Sequence, residues 1–340
     1  MTTTDLEKLT QMLEEDNLRK YGSRESGAMS YGSINNLSLP YTLKLSMDYI
    51  RLSSRHEFFK IKETMKKEHG NPKHYYHPPE NPRYSISDFS IKHKGHTSRV
   101  LMVYPMGPLT YNSIKIMQPN RNLILHLSNI IEDKFTVREC EFSFDFHVRK
   151  PNHVPLLNQF IFSHLYVSHM RKSFYLNPDF YPPKDSLDSL TLEKKGIPEG
   201  FETRRIGDPR MSSGLSIRLY EKPKFDSRKY LVKMFLRMEV VAKRRLLQKH
   251  ALSNLKDLLS FRPENLLDRI AFKSFDLDRL AKDTNEETSK DVADLLRHEG
   301  LTRALPEIKQ YVANPYVYLS EHPFHKTFRN RVARYDSFLR

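Results

Sequence analysis

The segment TVRECEFSFDFHV alternates polar and aromatic residues with a period of two. Successive side chains of a strand point to opposite faces, so Glu139, Glu141, Ser143 and Asp145 share one face and Phe142, Phe144 and Phe146 the other. The phenylalanine face belongs on a core. Carboxylates crowded on one strand face repel each other unless cations intervene, and a hard divalent metal with oxygen ligands is the usual remedy; a solvated edge with its charges in water is the plainer alternative. The segment LSIRLYEKPK sets Ser216, Arg218, Tyr220 and Lys222 on one side and Ile217 and Leu219 on the other. A free phenol has a pKa of about 10, and flanking cations are expected to favour the phenolate and lower that value. A tyrosine so placed suits attack on a phosphodiester, with the cations holding the phosphate; in a chain with 18 tyrosines it also suits an ordinary amphipathic strand. In MFLRMEVVAKRR, Phe235, Arg237, Glu239 and Val241 share a face of an otherwise apolar strand. Buried Arg and Glu are costly unless paired or functional. In LKLSMDYIRL, Leu43, Leu45, Met47 and Tyr49 alternate with Lys44, Ser46, Asp48 and Ile50, which puts Asp48 on the polar side of a further strand.

The elements that must position these residues follow from the same periodicities. Residues 1–40 are polar, with Ser and Gly in YGSRESGAMSYGS, and read as a short helix and flexible lead-in. After the Asp48 strand, HEFFKIKETMKKEH reads as a basic helix and the proline-marked GNPKHYYHPPENPR as a loop. YSISDFSIKH, SRVLMVYP and MGPLTYNSIKIM read as strands, with Lys94-Gly95 and Gly107-Pro108 as turns. RNLILHLSNIIED and VPLLNQFIFSHLYVSHMRK read as helices on either side of the acidic strand, and residues 174–200 as irregular chain. Beyond Ala242 the pattern reads as helix throughout, with Pro263, Gly300 and Pro306 as punctuation. The expected fold is α+β: a large antiparallel sheet flanked by helices over residues 41–242, with a helical appendage over 243–340.

With 56 Lys and Arg against 41 Asp and Glu, the formal charge is +15, which favours polyanionic partners and nucleic acid above all. The single cysteine, Cys140, excludes a disulfide framework and a cysteine zinc site, and points to a reducing, cytoplasmic setting. No apolar run approaches the roughly 20 residues that span a bilayer, so no membrane is expected. The glycines form no phosphate-cradling loop. Among the 15 histidines, His74/His77, His93/His96, His147/His153 and His164/His169 lack the His-apolar-His spacing of a strand-borne metal site, so no histidine-bound metal is expected.

Taken in order, KLSMDYIRL, FTVRECEFSFDFHV, ETRRIG, SIRLYEK and FLRMEVVAKRR, spanning residues 43–245, resemble the trans-acting replication initiators of small rolling-circle plasmids, the family without a histidine metal motif. The resemblance implies a site-specific DNA nickase and strand transferase. Its tyrosine, here Tyr220, would nick one strand, keep the 5′ phosphate and free a 3′ hydroxyl to prime a polymerase. It implies Lys222, Arg218 and Arg237 beside the nucleophile, and Asp48, Glu141, Asp145 and Glu239 as the acids that hold Mg²⁺ or Mn²⁺. It also implies single- and double-stranded origin DNA as partner, a homodimer, and the host helicase and polymerase. The chain departs from the family where Glu221 follows the tyrosine, where Phe225 precedes Asp226, and where SIKIMQPNRN lacks an acid. A conjugative relaxase of an integrative element would use the same chemistry, and a catalytically inactive DNA-binding protein or a structural protein with a basic surface would not need all of these acids.

The final stretch HPFHKTFRNRVARYDSFLR carries Lys326, Arg329, Arg331 and Arg334 among aromatic residues. On a helix, Phe328, Val332, Tyr335 and Leu339 would dock on the body, Arg329 and Arg334 would face outward toward DNA phosphates, and Arg331 would lie at the flank. A chain cut after about Asn314 is then expected to bind duplex DNA more weakly, with a flatter salt dependence, and still to cleave a single-stranded origin oligonucleotide.

Overall fold

The alternating segments pair into a nine-stranded sheet, antiparallel at every junction. The computed structural model describes residues 30–339, apart from 38, 55–58, 78–83, 94, 106–111, 132–134, 151–152, 169–202, 207–213 and 226–230. The lead-in before residue 30, the irregular 174–200 and the Gly107-Pro108 turn therefore lie outside the described residues. The strands are β1 (Tyr41–Ser54), β2 (Lys73–His77), β3 (Tyr84–His93), β4 (His96–Pro105), β5 (Asn112–Met117), β6 (Thr136–Val148), β7 (Leu165–Val167), β8 (Thr203–Ile206), β9 (Leu215–Phe225) and β10 (Leu231–Lys243). All but β7 join the large sheet, in the order β2-β3-β4-β5-β1-β6-β10-β9-β8. The four motif-bearing strands, β1, β6, β10 and β9, are neighbours at its centre.

One face of this sheet is apolar. Phe142, Phe144 and Phe146 of β6 are fully buried, flanked by Leu43, Leu45 and Met47 of β1, Leu236, Met238 and Val240 of β10, and Ile217 and Leu219 of β9. Helices α1 (Tyr31–Asn35), α2 (Phe59–His69), α3 (Arg121–Ile130) and α4 (His153–His164) contribute Ile34, Ile61, Met65, Leu123, Ile124, Leu127, Leu157 and Phe160 to the same core. Burying each large apolar side chain contributes about 1.5–3 kcal/mol, and this face carries most of the described core.

The C-terminal third departs from the expected all-helix pattern. After α5 (Arg244–Lys249) and two short 3₁₀ turns, Ile270–Phe275 is a strand, β11, which pairs with β7 and with β12 (Leu319–Glu321) in a small second sheet. RIAF is too short to complete an amphipathic helix, and its β-branched and aromatic residues pack well on a pleat. The helix expected to run to Lys172 stops at His164 for the same reason: Leu165–Val167 pairs with β11. The expected loop after α2 likewise contains a strand, since Lys73–His77 pairs with β3 along the sheet's edge. Helices α6 (Leu277–Asp283), α7 (Glu286–Glu299) and α8 (Leu301–Ile308) enclose a second, smaller core around Leu280, Val292, Leu296, Leu301, Leu305 and Tyr318. Gly300 joins α7 to α8 at φ +72°, and a Cβ there would lie 2.6 Å from the carbonyl oxygen of Phe162 in α4. Only glycine permits both the backbone conformation and the approach.

The tail is also different. Helix α9 (Pro323–Val332) ends at Val332, so Tyr335, Phe338 and Leu339 follow in turns rather than on one helix. Phe338 packs on Phe142 (ring centroids 4.5 Å apart) and Phe144 (5.5 Å), and Phe328 on Phe144 and Phe146 (both 5.8 Å). Tyr335 donates its hydroxyl to the Leu43 carbonyl. Cutting the chain after Asn314 would uncover the phenylalanine face of β6. Large-to-small changes at such sites cost about 3–5 kcal/mol each, so that truncation is expected to damage the fold rather than spare it.

Candidate active site

The opposite face of the central strands collects the polar side chains. In the register of the sheet, Arg237 lies across from Asp145 on one side and Tyr220 on the other, and Glu239 across from Ser143 and Arg218. The register of three strands therefore brings these residues into one row. Asp48 arrives by a different route. Met47 faces Phe142 and Tyr49 faces Glu141, so Asp48 is the extra residue of a β-bulge. The bulge is held by a hydrogen bond from the Gln118 amide to the Asp48 carbonyl (2.6 Å), with Gln118 in the left-handed region at φ +45°.

The bulge corrects the reading of β1. Past it the strand changes parity, so Tyr49 turns to the polar face and Ile50, fully buried, turns to the core opposite Cys140. Sequence reasoning thus missed Tyr49, which donates to Glu139 (2.5 Å) and lies under the Lys115 ammonium (3.8 Å from the ring centre). The signal was present: core positions run 43, 45, 47, then 50 and 52, an alternation that skips a beat at Asp48.

Ion pairs and hydrogen bonds order the cluster. The Arg237 guanidinium makes a two-pronged contact with Asp145 (2.6 and 2.8 Å) and reaches Asp48 (3.0 Å), which also accepts from the Ser143 hydroxyl (2.7 Å). Arg237 lies 3.9 Å from Glu239, so these two residues are paired across strands more closely than with each other. Glu239 accepts from Arg218 through one carboxylate oxygen and from the Tyr220 hydroxyl through the other. Glu239 is 2% exposed, so its charge is offset by these donors rather than by bulk water.

These surroundings reverse the expected effect on Tyr220. Burial, and then the charge of Glu239, push its phenol well above the ordinary tyrosine range, against the opposing pull of Arg218 and Arg237. Arg218 and Arg237 are paired with carboxylates, and the phenol is held neutral with its proton directed at Glu239. Burial, and then the neighbouring Arg237, hold the Lys222 ammonium below the ordinary lysine range. Glu141 is pushed up to about 8 by burial and by the charges of Glu239 and Asp48, with Arg218 and Lys115 opposing.

Oxygens of Asp48, Glu141 and Glu239 all lie within 4.8 Å of one another, a donor set that suits a hard divalent cation. The elevated Glu141 fits such an ion as well, because it keeps near neutrality a proton that a cation would displace. Asp145, the fourth expected acid, lies outside this group and is engaged by Arg237.

A test follows from Glu141. Its ordinary value is 4.5 and its folded value about 8, so the metal-free folded state retains a proton that the unfolded chain loses. Stability is therefore fullest below the unfolded value and is lost as pH rises through the folded one. The melting temperature of metal-free protein is expected to fall by about 5 °C or more across this window. Mn²⁺ should suppress the fall, and Glu141→Gln should flatten it. Identical pH profiles for the variant and the parent would show that Glu141 does not titrate in this way.

The expected DNA-contacting residues divide. Lys326, Arg329 and Arg334 are exposed. Arg331 instead donates to the Tyr41 carbonyl, with its guanidinium carbon 4.2 Å from the Tyr41 ring centre, and so is tied to the body. Tyr230, another tyrosine near the motif, lies outside the described residues. Among the described residues no helix is long and apolar enough to cross a membrane.

No protein-family model matches the chain, and no curated protein matches it in sequence. Among solved structures it is similar to the rolling circle replication initiator protein from Geobacillus stearothermophilus. The match has 14% identity and a TM-score of 0.35, covering 77% of this chain and 98% of that one. A likeness that loose leaves the functional reading to the residues themselves.

Proposed function

We propose that the chain is a DNA-nicking replication initiator of the rolling-circle type with Tyr220 as nucleophile. The observation that carries this reading is the hydrogen bond from the Tyr220 hydroxyl to Glu239, within a buried to half-buried group of acids and cations drawn from four strands. A buried ion network of this size is an expensive way to stabilise a sheet, whereas a nucleophile, a base and phosphate-holding cations on one rigid face are what phosphoryl transfer requires.

In this reading the Tyr220 oxygen bonds to the scissile phosphorus, the bond from phosphorus to the 3′ oxygen breaks, and the phenolic proton passes to Glu239. Lys222, with its lowered affinity for a proton, supplies the proton that the leaving 3′ oxygen needs. Arg218 lies over the tyrosine ring, its guanidinium carbon 5.3 Å from the ring centre, and balances charge on the phosphate. Arg237, fixed by Asp145 and Asp48, positions the strand that carries Glu239. Asp48, Glu141 and Glu239 would hold Mg²⁺ or Mn²⁺, which supplies Lewis-acid polarisation of a phosphoryl oxygen when bound.

The direct test is to incubate the protein with supercoiled circles and with a randomised single-stranded oligonucleotide pool, with Mn²⁺, and to look for nicked DNA covalently attached to protein. Glu239→Gln should slow adduct formation by about 10²–10⁴-fold, the range for a missing general base. No adduct on any substrate would overturn the nicking reading and leave a DNA-binding protein.

The exposed tail cations give a second expectation. Changing Lys326, Arg329 and Arg334 together to Gln should weaken duplex binding and reduce its salt dependence by up to about one unit of slope for each phosphate no longer neutralised. Folding should be unaffected, since none of the three is buried. An unchanged salt slope would remove this surface from the DNA interface.

A further inference from the structure

On the helix-covered side of the sheet, away from Tyr220, two histidines 57 residues apart meet where α2 ends against α3. His69 Nε2 lies 3.0 Å from His126 Nε2, with the rings nearly perpendicular at 85°. Glu68 Oε2 lies 3.3 Å from His126 Nε2 and 3.9 Å from His69 Nε2. We propose that Glu68, His69 and His126 form a second metal site that takes a divalent ion of the zinc class and ties the end of α2 to α3.

The donor set carries the choice of ion. Imidazole nitrogens favour zinc-like ions over Mg²⁺, which prefers all-oxygen surroundings such as the acidic cluster of the sheet. The spacing agrees. Zinc–nitrogen bonds of about 2.0–2.1 Å at tetrahedral angles hold ligand atoms about 3.3 Å apart. The observed triangle, with edges of 3.0, 3.3 and 3.9 Å, brackets that value, so side-chain shifts of a few tenths of an ångström close it. A divalent cation engages the lone pairs of all three side chains at once. Access is graded: the side chains of His69, His126 and Glu68 are 10%, 23% and 41% exposed, so the site sits at the rim and a fourth position is open to water. The chain leaves the site at once, because Gly70 ends α2 at φ +80°. Nothing in the sequence spacing announces the site, since its halves lie on separate helices brought together by the apolar core beneath them, with Ile61 and Met65 on one and Leu123, Ile124 and Leu127 on the other.

The test uses the full chain and Co²⁺ as an optical probe for a zinc-class site, with excess Mg²⁺ present to fill the oxygen cluster. One equivalent of Co²⁺ should give the intense visible absorption of four-coordinate cobalt and raise the melting temperature. Loss of a mere hydrogen-bonding neighbour of a ligand weakens such sites by about 10–100-fold, so His126→Ala, which removes a ligand, should weaken Co²⁺ binding by at least about 100-fold. Glu68→Gln, at an exposed side chain, should weaken it by at least about 10-fold without altering the melting temperature of the metal-free protein. That second variant keeps the test valid if His126→Ala folds poorly. Asp48→Asn should leave the absorption unchanged. Absence of the band, its persistence in both His126→Ala and Glu68→Gln, or its loss in Asp48→Asn would overturn the proposal.

Discussion

Tyr220→Phe is expected to abolish covalent attachment to DNA, reducing the adduct below detection while DNA binding and the fold persist. The substitution removes one oxygen from a side chain whose ring stays in place over the same neighbours. The Glu239 carboxylate keeps its Arg218 partner, so the stability cost should not exceed the roughly 1.5–3 kcal/mol of a hydrogen bond to a charged group. The burial that holds this phenol neutral makes the result sharper. Tyr220 has its proton directed at Glu239, the carboxylate placed to accept it. Denaturing gels of protein incubated with single-stranded substrate and Mn²⁺ provide the readout, with circular dichroism and filter binding as controls. An adduct that forms at an undiminished rate in Tyr220→Phe would place the nucleophile elsewhere.

Arg237→Met is expected to be among the most destabilising single changes in the sheet. Arg237 is 8% exposed and bonded to both Asp145 and Asp48, so its removal leaves two carboxylates close together with their principal cation gone. Breaking a buried pair in this way costs about 3–5 kcal/mol. The double variant Arg237→Met with Asp145→Leu should recover much of that stability, because replacing a buried pair by apolar residues of similar volume is often neutral. Activity should not recover, since Asp48 loses the guanidinium that fixes its position. Urea denaturation of the single and double variants checks the first part and the adduct assay the second. A single variant as stable as the parent would show that the carboxylates find other partners. Recovery of activity in the double variant would confine Arg237 to a structural role.

What the chain could reveal from its residues alone is the part set by local periodicity. Period-two alternation in TVRECEFSFDFHV, LSIRLYEK and MFLRMEVVA depends only on strand geometry, so the polar faces carrying Glu141, Asp145, Tyr220, Arg237 and Glu239 were legible before any fold was known. The α+β class, the antiparallel sheet and the basic helix after β1 follow from the same signal. Everything that depended on pairing was hidden. The bulge at Asp48 reverses the strand's parity because one residue of β1 has no partner on β6, and a single strand does not record its partner's register. The strands at residues 270–275 and 165–167 are short apolar runs, and short runs become strand or helix according to what lies beside them. The tail's amphipathic pattern did announce that Phe328, Val332, Tyr335 and Leu339 dock on the body, but the end of its helix at Val332 and the seating of Phe338 on Phe142 and Phe144 arose from long-range packing. The state of Tyr220 was also decided in three dimensions. The cations beside it in sequence suggested a lowered pKa, yet in the fold Arg218 and Arg237 are paired with carboxylates and the largely desolvated phenol donates to Glu239. Residue order determines which charges a strand presents, but only the assembled sheet determines how much water remains around them, and for a buried phenol that desolvation outweighs its neighbours' charge.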